Sequence, residues 1–274
     1  MRVAVLGSGS RGNSVLVASH DTRILVDAGL SGKEMASRLD RLGIAPEAVD
    51  GILVTHEHGD HTRGVGVFAR RFGTPLYMTP GTRSACAALL RGKETVHSYT
   101  PGRPLTIGDL RIDPFLTVHD ALDPVAVTVT GTKCGIRIGI ATDLGRPTAG
   151  IRHSLARCDF LILEANHDEE MLRAGPYPAS VQARISSSHG HLSNRAAATF
   201  ACELAHPRLT GLFLAHLSGS CNRPELAHAT VSRALAGAGW KGFLAVASQD
   251  APTEFVDIPV LRSLRETDQL SLLP

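Results

Sequence analysis

The sequence predicts an α/β protein, two β-sheets covered by helices in a single domain spanning residues 1–274. Three observations lead there. Short β-branched runs alternate with helical patterns at both ends of the chain, and strand signals crowd the middle, from Pro101 to Asp143. No Pro/Ser-rich linker, low-complexity tract or detectable repeat divides the chain.

Arg2 to Leu6, Ser14 to Ala18 and Arg23 to Asp27 read as strands, the last two joined by the polar turn Ser19-His20-Asp21-Thr22. A helix follows. Ser31 and Glu34 have capping-box spacing, Met35, Leu39 and Leu42 share one face, and Gly43 stands where a left-handed cap belongs. Gly51 to Thr55 is a strand ending in a histidine cluster, and Thr62 to Phe72 reads as a helix. In the middle, Leu105 to Ile107, Leu110 to Thr117, Val125 to Thr130 and Gly135 to Ala141 form a meander of antiparallel strands. Helices near Ile151 to Ala156, Arg195 to Leu204 and Glu225 to Ala236 then alternate with strands Phe160 to Ala165, Gly211 to Ala215 and Phe243 to Ala247.

Composition narrows the function classes. No apolar run approaches the roughly 18 residues of a membrane span, and the first glycine, Gly7, comes too early for a signal peptide, so a cytoplasmic protein is expected. The five cysteines, Cys86, Cys134, Cys158, Cys202 and Cys221, are scattered without C-x-x-C pairing and read as buried packing residues. A net charge of +2 permits an anionic substrate without demanding one. Oligomeric state is not legible.

Gly7-Ser8-Gly9-Ser10-Arg11-Gly12 matches the dinucleotide fingerprint G-x-G-x-x-G after a strand. That fingerprint needs a helix directly after the glycines to present its N-terminus to pyrophosphate. Two strands and a turn fill the space instead, so the segment reads as a permissive loop, with a place at an active-site rim left open.

The chemistry is concentrated in His56-Glu57-His58-Gly59-Asp60-His61, three imidazoles and a carboxylate just past a strand end. It is not the H-E-x-x-H pattern of zincins, because Asp60 stands where the second histidine would be. Four donors in one turn crowd a single ion, and hydrolytic sites keep a position for water, which directs attention to later strand ends. His119, Asp143 and His216 each close an apolar run, a context in which a residue is either a cap or a ligand.

These segments resemble the successive ligand motifs of the metallo-β-lactamase superfamily. Gly7 to Ser14, Asp27-Ala28-Gly29-Leu30-Ser31, Gly190-His191-Leu192-Ser193-Asn194 and His216-Leu217-Ser218 further resemble its bacterial WalJ (YycJ) group, related to ribonuclease Z and the phosphonate-pathway phosphodiesterase. The resemblance implies a four-layer αββα sandwich and two divalent ions, zinc or manganese. It assigns His56, His58 and His119 to one ion, Asp60, His61 and His216 to the other, and Asp143 as bridge. It further implies a hydrolase in which a water between two cations attacks the substrate, with Asp60 helping to orient it.

His189 and His191 precede the helix starting near Arg195, where Ser193 or Asn194 is placed to cap. They are either surface histidines beside a cap or phosphate contacts at a helix start; the resemblance favours His191 as a catalytic proton donor. Ser10, Asn13, Asn166, His167, Ser218 and Asn222 complete the candidate substrate contacts; Glu164, Asn166, His167 and Asp168, after the strand from Phe160, resemble a polar cluster of the group that supports the metal ligands or contacts substrate, with capping as the other reading for Asn166 and Asp168. Cys221 departs from the group pattern, where a polar residue is expected. Arg11, Arg173, Arg184, Arg195 and Arg223 are phosphate contacts or ordinary surface charges.

The function expected is a phosphodiesterase or nuclease, on the group's side a DNA exonuclease, with nucleic acid or another phosphodiester as partner. Thiolester or lactone hydrolysis and small cyclic phosphodiesters are the alternatives. With 73 positions from Asp143 to His216 and 58 after it, the spacing fits neither glyoxalase-type thiolesterases, which carry a helical C-terminal domain, nor larger nucleases with a long insertion before the last ligand, and a compact enzyme of the small phosphodiesterase kind is expected.

Overall fold

The computed structural model describes residues 1–270. Strands β1 (Arg2–Gly7), β2 (Ser14–Ala18) and β3 (Arg23–Val26) lead to helix α1 (Gly32–Arg41), strand β4 (Gly51–Leu53), helices α2 (Gly59–Thr62) and α3 (Val65–Phe72), strand β5 (Leu76–Met78), helix α4 (Pro80–Ala85) and strand β6 (Val96–Ser98). The second half runs β7 (Leu105–Ile107), β8 (Leu110–Leu116), β9 (Val125–Gly131), β10 (Arg137–Ala141), α5 (Ala149–Leu155), β11 (Phe160–Glu164), α6 (Glu169–Ala174), α7 (Ala179–Ile185), α8 (Asn194–Leu204), β12 (Gly211–Ala215), α9 (Pro224–Gly237) and β13 (Phe243–Val246). β14 (Val256–Asp257) and α10 (Ile258–Leu270) close the described chain.

Two mixed seven-stranded sheets result, ordered β14-β1-β2-β3-β4-β5-β6 and β13-β12-β11-β10-β9-β8-β7. The period-two pattern decides what each face buries. In the first sheet Val15, Val17, Ile24, Val26 and Leu53 face the other sheet, where they meet Val127, Val129, Ile138, Ile140, Ile162 and Phe213. Leu16, Leu25 and Ile52 point the opposite way, onto Met35 and Leu39 of α1 and Phe68 of α3. Leu161, Leu163, Leu212 and Leu214 do the same for the second sheet, under Ile151, Phe200, Val231 and Leu235 of its helices. The expected αββα layering is therefore observed, with strands of both sheets buried on two faces.

The meander β7-β8-β9-β10 is antiparallel throughout, as expected, while β10-β11-β12-β13 run parallel. β2 and β3 occupy the space after the glycine loop, so no dinucleotide helix exists there.

The helix expected from Thr62 to Phe72 is instead two, α2 beginning earlier at Gly59 and α3 starting at Val65. The break lies at Gly64, whose N–H donates to the Ala28 carbonyl and whose missing side chain makes room for the Leu30 carbonyl. Ser31 caps α1 through the Glu34 N–H, but the Glu34 carboxylate pairs with Arg38 rather than closing the box. β5, β6, α4, α6 and α7 were not expected; they are short and carry few period signals. Cys86, Cys158 and Cys221 are buried as expected, whereas Cys134 is exposed and Cys202 half-buried. No helix among the described residues is long and apolar enough to cross a membrane.

Candidate metal centre

β4 carries the chain to the histidine turn, and Asp27, at the end of β3, fixes it there. Its carboxylate accepts from the Thr55 N–H and hydroxyl, both at 2.8 Å, and lies 2.7 Å from His61 Nδ1. That contact turns His61 Nε2 toward the cleft. The turn is also held from behind: Asn13 N donates to the Asp60 carbonyl and Ala28 N to the His61 carbonyl. Gly29 packs so closely that a Cβ there would lie 1.6 Å from the Asp60 carbonyl oxygen. The glycine-rich loop thus supports the turn, with Asn13 Nδ2 3.1 Å from Asp60 Oδ2 and 3.2 Å from His61 Nε2.

The second sheet supplies single residues beyond the ends of β8, β10 and β12: His119, Asp143 and His216. Asp27, Asp143 and His216 all adopt left-handed backbone, φ 66°, 58° and 58°, and no other non-glycine residue among those described does. Such conformations cost of order 1–3 kcal/mol each, and here they swing a polar side chain back across a strand end.

Donor atoms converge as two triads, His56, His58 and His119 and, beside it, Asp60, His61 and His216, each with its ligand atoms within 4.8 Å of one another. Asp143 groups with His56 and His61 on one side and with Glu164, His191 and His216 on the other. His56 Nε2 and Asp143 Oδ2 are buried without a hydrogen-bond partner among the described residues, though His61 Nε2 approaches that oxygen to 3.1 Å. Unsatisfied buried donors and acceptors are costly, so converging orphans of this kind fit a cation between them. Imidazole with carboxylate suits zinc or manganese.

Electrostatics agree. Burial, then His61, pushes His56 well below the usual imidazole range, and burial lowers His119, leaving both in the neutral form a metal requires. Burial would lower His61 and His216 too, but Asp143 with Asp27, and Asp143 with Asp60 and Glu164, raise them, His216 to about 10. Burial would raise Asp143; the His216 and His61 rings hold it well below the carboxylate range.

Glu164, at the end of β11 and first in the polar cluster expected to support the ligands or touch substrate, is the hub of the site. Fully buried, its Oε1 lies 2.8 Å from both His191 Nδ1 and His216 Nδ1. Its carboxylate also accepts from the Asp143, Leu144 and Leu192 N–H groups. Burial opposes ionisation, but His191 and His216 pull it down to about 2. The sequence places it among polar residues but does not show that it joins two imidazoles.

A cleft of about 200 Å³ opens over the donors, walled by Ser10, Ser218, His191, Tyr177 and Arg184. Tyr177 and Ile185 also line it and left no sequence signal; they belong to the short α6–α7 region. Asn166 reaches the cleft, and its amide donates to the His216 carbonyl. Three other candidates lie elsewhere. Asn222 is buried against Asn194 and the Ala165 carbonyl, His189 is exposed beside Ser188, and His167 lines a neighbouring pocket. Asn222 and His167 were placed by the resemblance and His189 by its position before a helix start, and a turn of backbone carries each away from the cleft. Asp168 caps α6 and Ser193 caps α8. Of the arginines, Arg184 alone reaches the cleft, and it pairs with Asp120; Arg11 pairs with Asp250 and Arg195 with Glu169. A larger hollow of about 1020 Å³ lies by Arg137 at the opposite end of β10, with none of the donors in its wall.

Residues 22–213 match the family model described as the beta-lactamase superfamily domain. The chain belongs to the metallo-β-lactamase superfamily. Within it, the chain is 35% identical over 242 residues to the exodeoxyribonuclease YycJ of Bacillus anthracis, covering 88% of this chain and 91% of that protein. It is 38% identical over 241 residues to the exodeoxyribonuclease WalJ of Streptococcus pneumoniae serotype 2, covering 86% and 89%. Human tRNase Z, short form, superposes with a TM-score of 0.65 at 18% identity, over 94% of this chain and all of that one, a likeness of fold. As a member of this superfamily with divalent-metal donor clusters, the chain is a metal-dependent hydrolase.

Proposed function

We propose that this chain is a cytoplasmic exodeoxyribonuclease that holds two divalent ions, zinc or manganese, in one domain. The observation that carries the reading is the donor arrangement itself: two triads beneath a cleft, with Asp143 grouped with members of both, in a chain similar along nearly its whole length to exodeoxyribonucleases. His56, His58 and His119 would hold one ion, Asp60, His61 and His216 the other, and Asp143 both. When bound, the ions supply Lewis acidity and a nucleophile at neutral pH.

The chain's own residues do the rest. Asp60 orients the attacking water, itself kept in place by Asn13. His191 protonates the departing alkoxide from Nε2, because Glu164 engages its Nδ1. Ser10 and Ser218 at the rim are placed to donate to the non-bridging phosphate oxygens, while Asn166 holds the His216 loop. The five free cysteines support a reducing compartment.

The test compares end-labelled single- and double-stranded DNA, RNA, an aryl phosphodiester and a thiolester, using wild type and His58→Ala. DNA should be shortened from its ends, with a rate that falls steeply as salt rises. Hydrolysis confined to the thiolester, or to the small diester, would overturn the nuclease reading and leave the metal assignment standing.

A further inference from the structure

The cleft over the donors, about 200 Å³, lies below the roughly 300–1,000 Å³ of ordinary small-ligand sites. On the other side of His191 lies a second pocket of about 510 Å³, within the range of small-ligand sites. His191 lines both. So does α7, which turns Arg184 and Ile185 to the cleft and Ala179, Gln182 and Ala183 to the pocket.

The chemistry of the pocket wall differs from that of the cleft. Leu172, Ala183 and Leu192 give it apolar surface, and Gln182, Ser186 and His167 give it hydrogen-bonding groups. Gln182 donates through Nε2 to the Tyr177 carbonyl, which leaves its Oε1 without a partner among the described residues. His167 is 2% exposed, and its Nδ1 likewise has none. The charges offset: Glu169 is already paired with Arg195 and accepts from Ser193, and Arg173 is the one arginine or lysine in the wall. A second phosphate would ask for a denser positive lining. A flat, half-polar heterocycle fits apolar walls interrupted by an amide, a hydroxyl and an imidazole.

We infer that the pocket behind His191 receives the nucleobase of the terminal nucleotide while its phosphate lies over the donors. This rests on the nuclease reading. It places His191 at the junction of phosphate and base, so that seating the base presses the proton donor against the ester it serves.

The experiment uses metal-loaded protein and two single-stranded oligonucleotides, one with ordinary termini and one with an abasic residue at each end. Wild type should favour the base-bearing ends by on the order of tenfold in kcat/KM. Ala183→Trp, which fills the pocket, and the milder Gln182→Leu should bring that ratio toward one. The same ordering should appear in binding, a mononucleotide exceeding deoxyribose phosphate in affinity for wild type and not for Ala183→Trp. Equal cleavage of both oligonucleotides by wild type, or an unchanged ratio in both variants, overturns the pocket assignment and leaves the nuclease reading intact. Hydrolysis of an aryl phosphodiester with neither oligonucleotide cut removes both.

Discussion

The two halves of the molecule build the centre in opposite ways. The first sheet delivers His56, His58, Asp60 and His61 from one turn, braced by Asp27, Asn13 and Gly29 from the loops beside it. The second delivers His119, Asp143 and His216 from three separate strand ends, aligned because β10, β11 and β12 run parallel and finish together. A local motif and a topological one therefore meet at each triad. Neither half holds either triad complete, so an ion bound at either triad would fasten one sheet to the other.

Donor substitutions break this division of labour most directly. His58→Ala, in the turn, and His216→Ala, at a strand end, should each lower turnover by about three orders of magnitude or more, as expected when a metal ligand is lost. Elemental analysis should fall from two equivalents toward one in each case. Asp143→Asn should weaken both equivalents, and wild-type turnover in that variant would remove Asp143 from its bridging place. A smaller effect sharpens the picture: His191→Ala should keep its metal content while kcat drops roughly 100-fold, the usual size of a general-acid contribution. Loss of metal there would move His191 among the ligands. The smallest effect tests whether the helices of the two halves are independent of the chemistry. Ser31→Ala at α1 and Ser193→Ala at α8 each remove a helix cap and should cost about 1 kcal/mol in denaturant unfolding. Metal content should stay at the wild-type level in both.

The first half was the more legible in sequence, because its information is local. The six residues from His56 to His61 announce donors without any knowledge of fold, and the β1–β3 run is plain from β-branched periodicity. His119, Asp143 and His216 show only as polar ends of apolar runs; that they face one another depends on strand order. Glu164 has the same outward signature and stood out only through the resemblance of its polar cluster, since nothing local tells an acid that binds two imidazoles from one that caps a strand. The α6–α7 region was least legible. Its helices are six and seven residues long, too short to display a period, yet they shape both the cleft and the pocket behind His191. Asn222 erred in the other direction, being close to the centre in sequence and turned toward Asn194 in space.

The left-handed backbone at Asp27, Asp143 and His216 has a practical consequence for protein engineering. A campaign that ranks substitutions by melting temperature alone will be drawn to these positions, since glycine or asparagine relieves the torsional cost there. At each of them the relief would be bought with a group the centre uses. Thermal screens of this chain therefore need an activity or metal readout alongside, and these three positions are best held constant in any library.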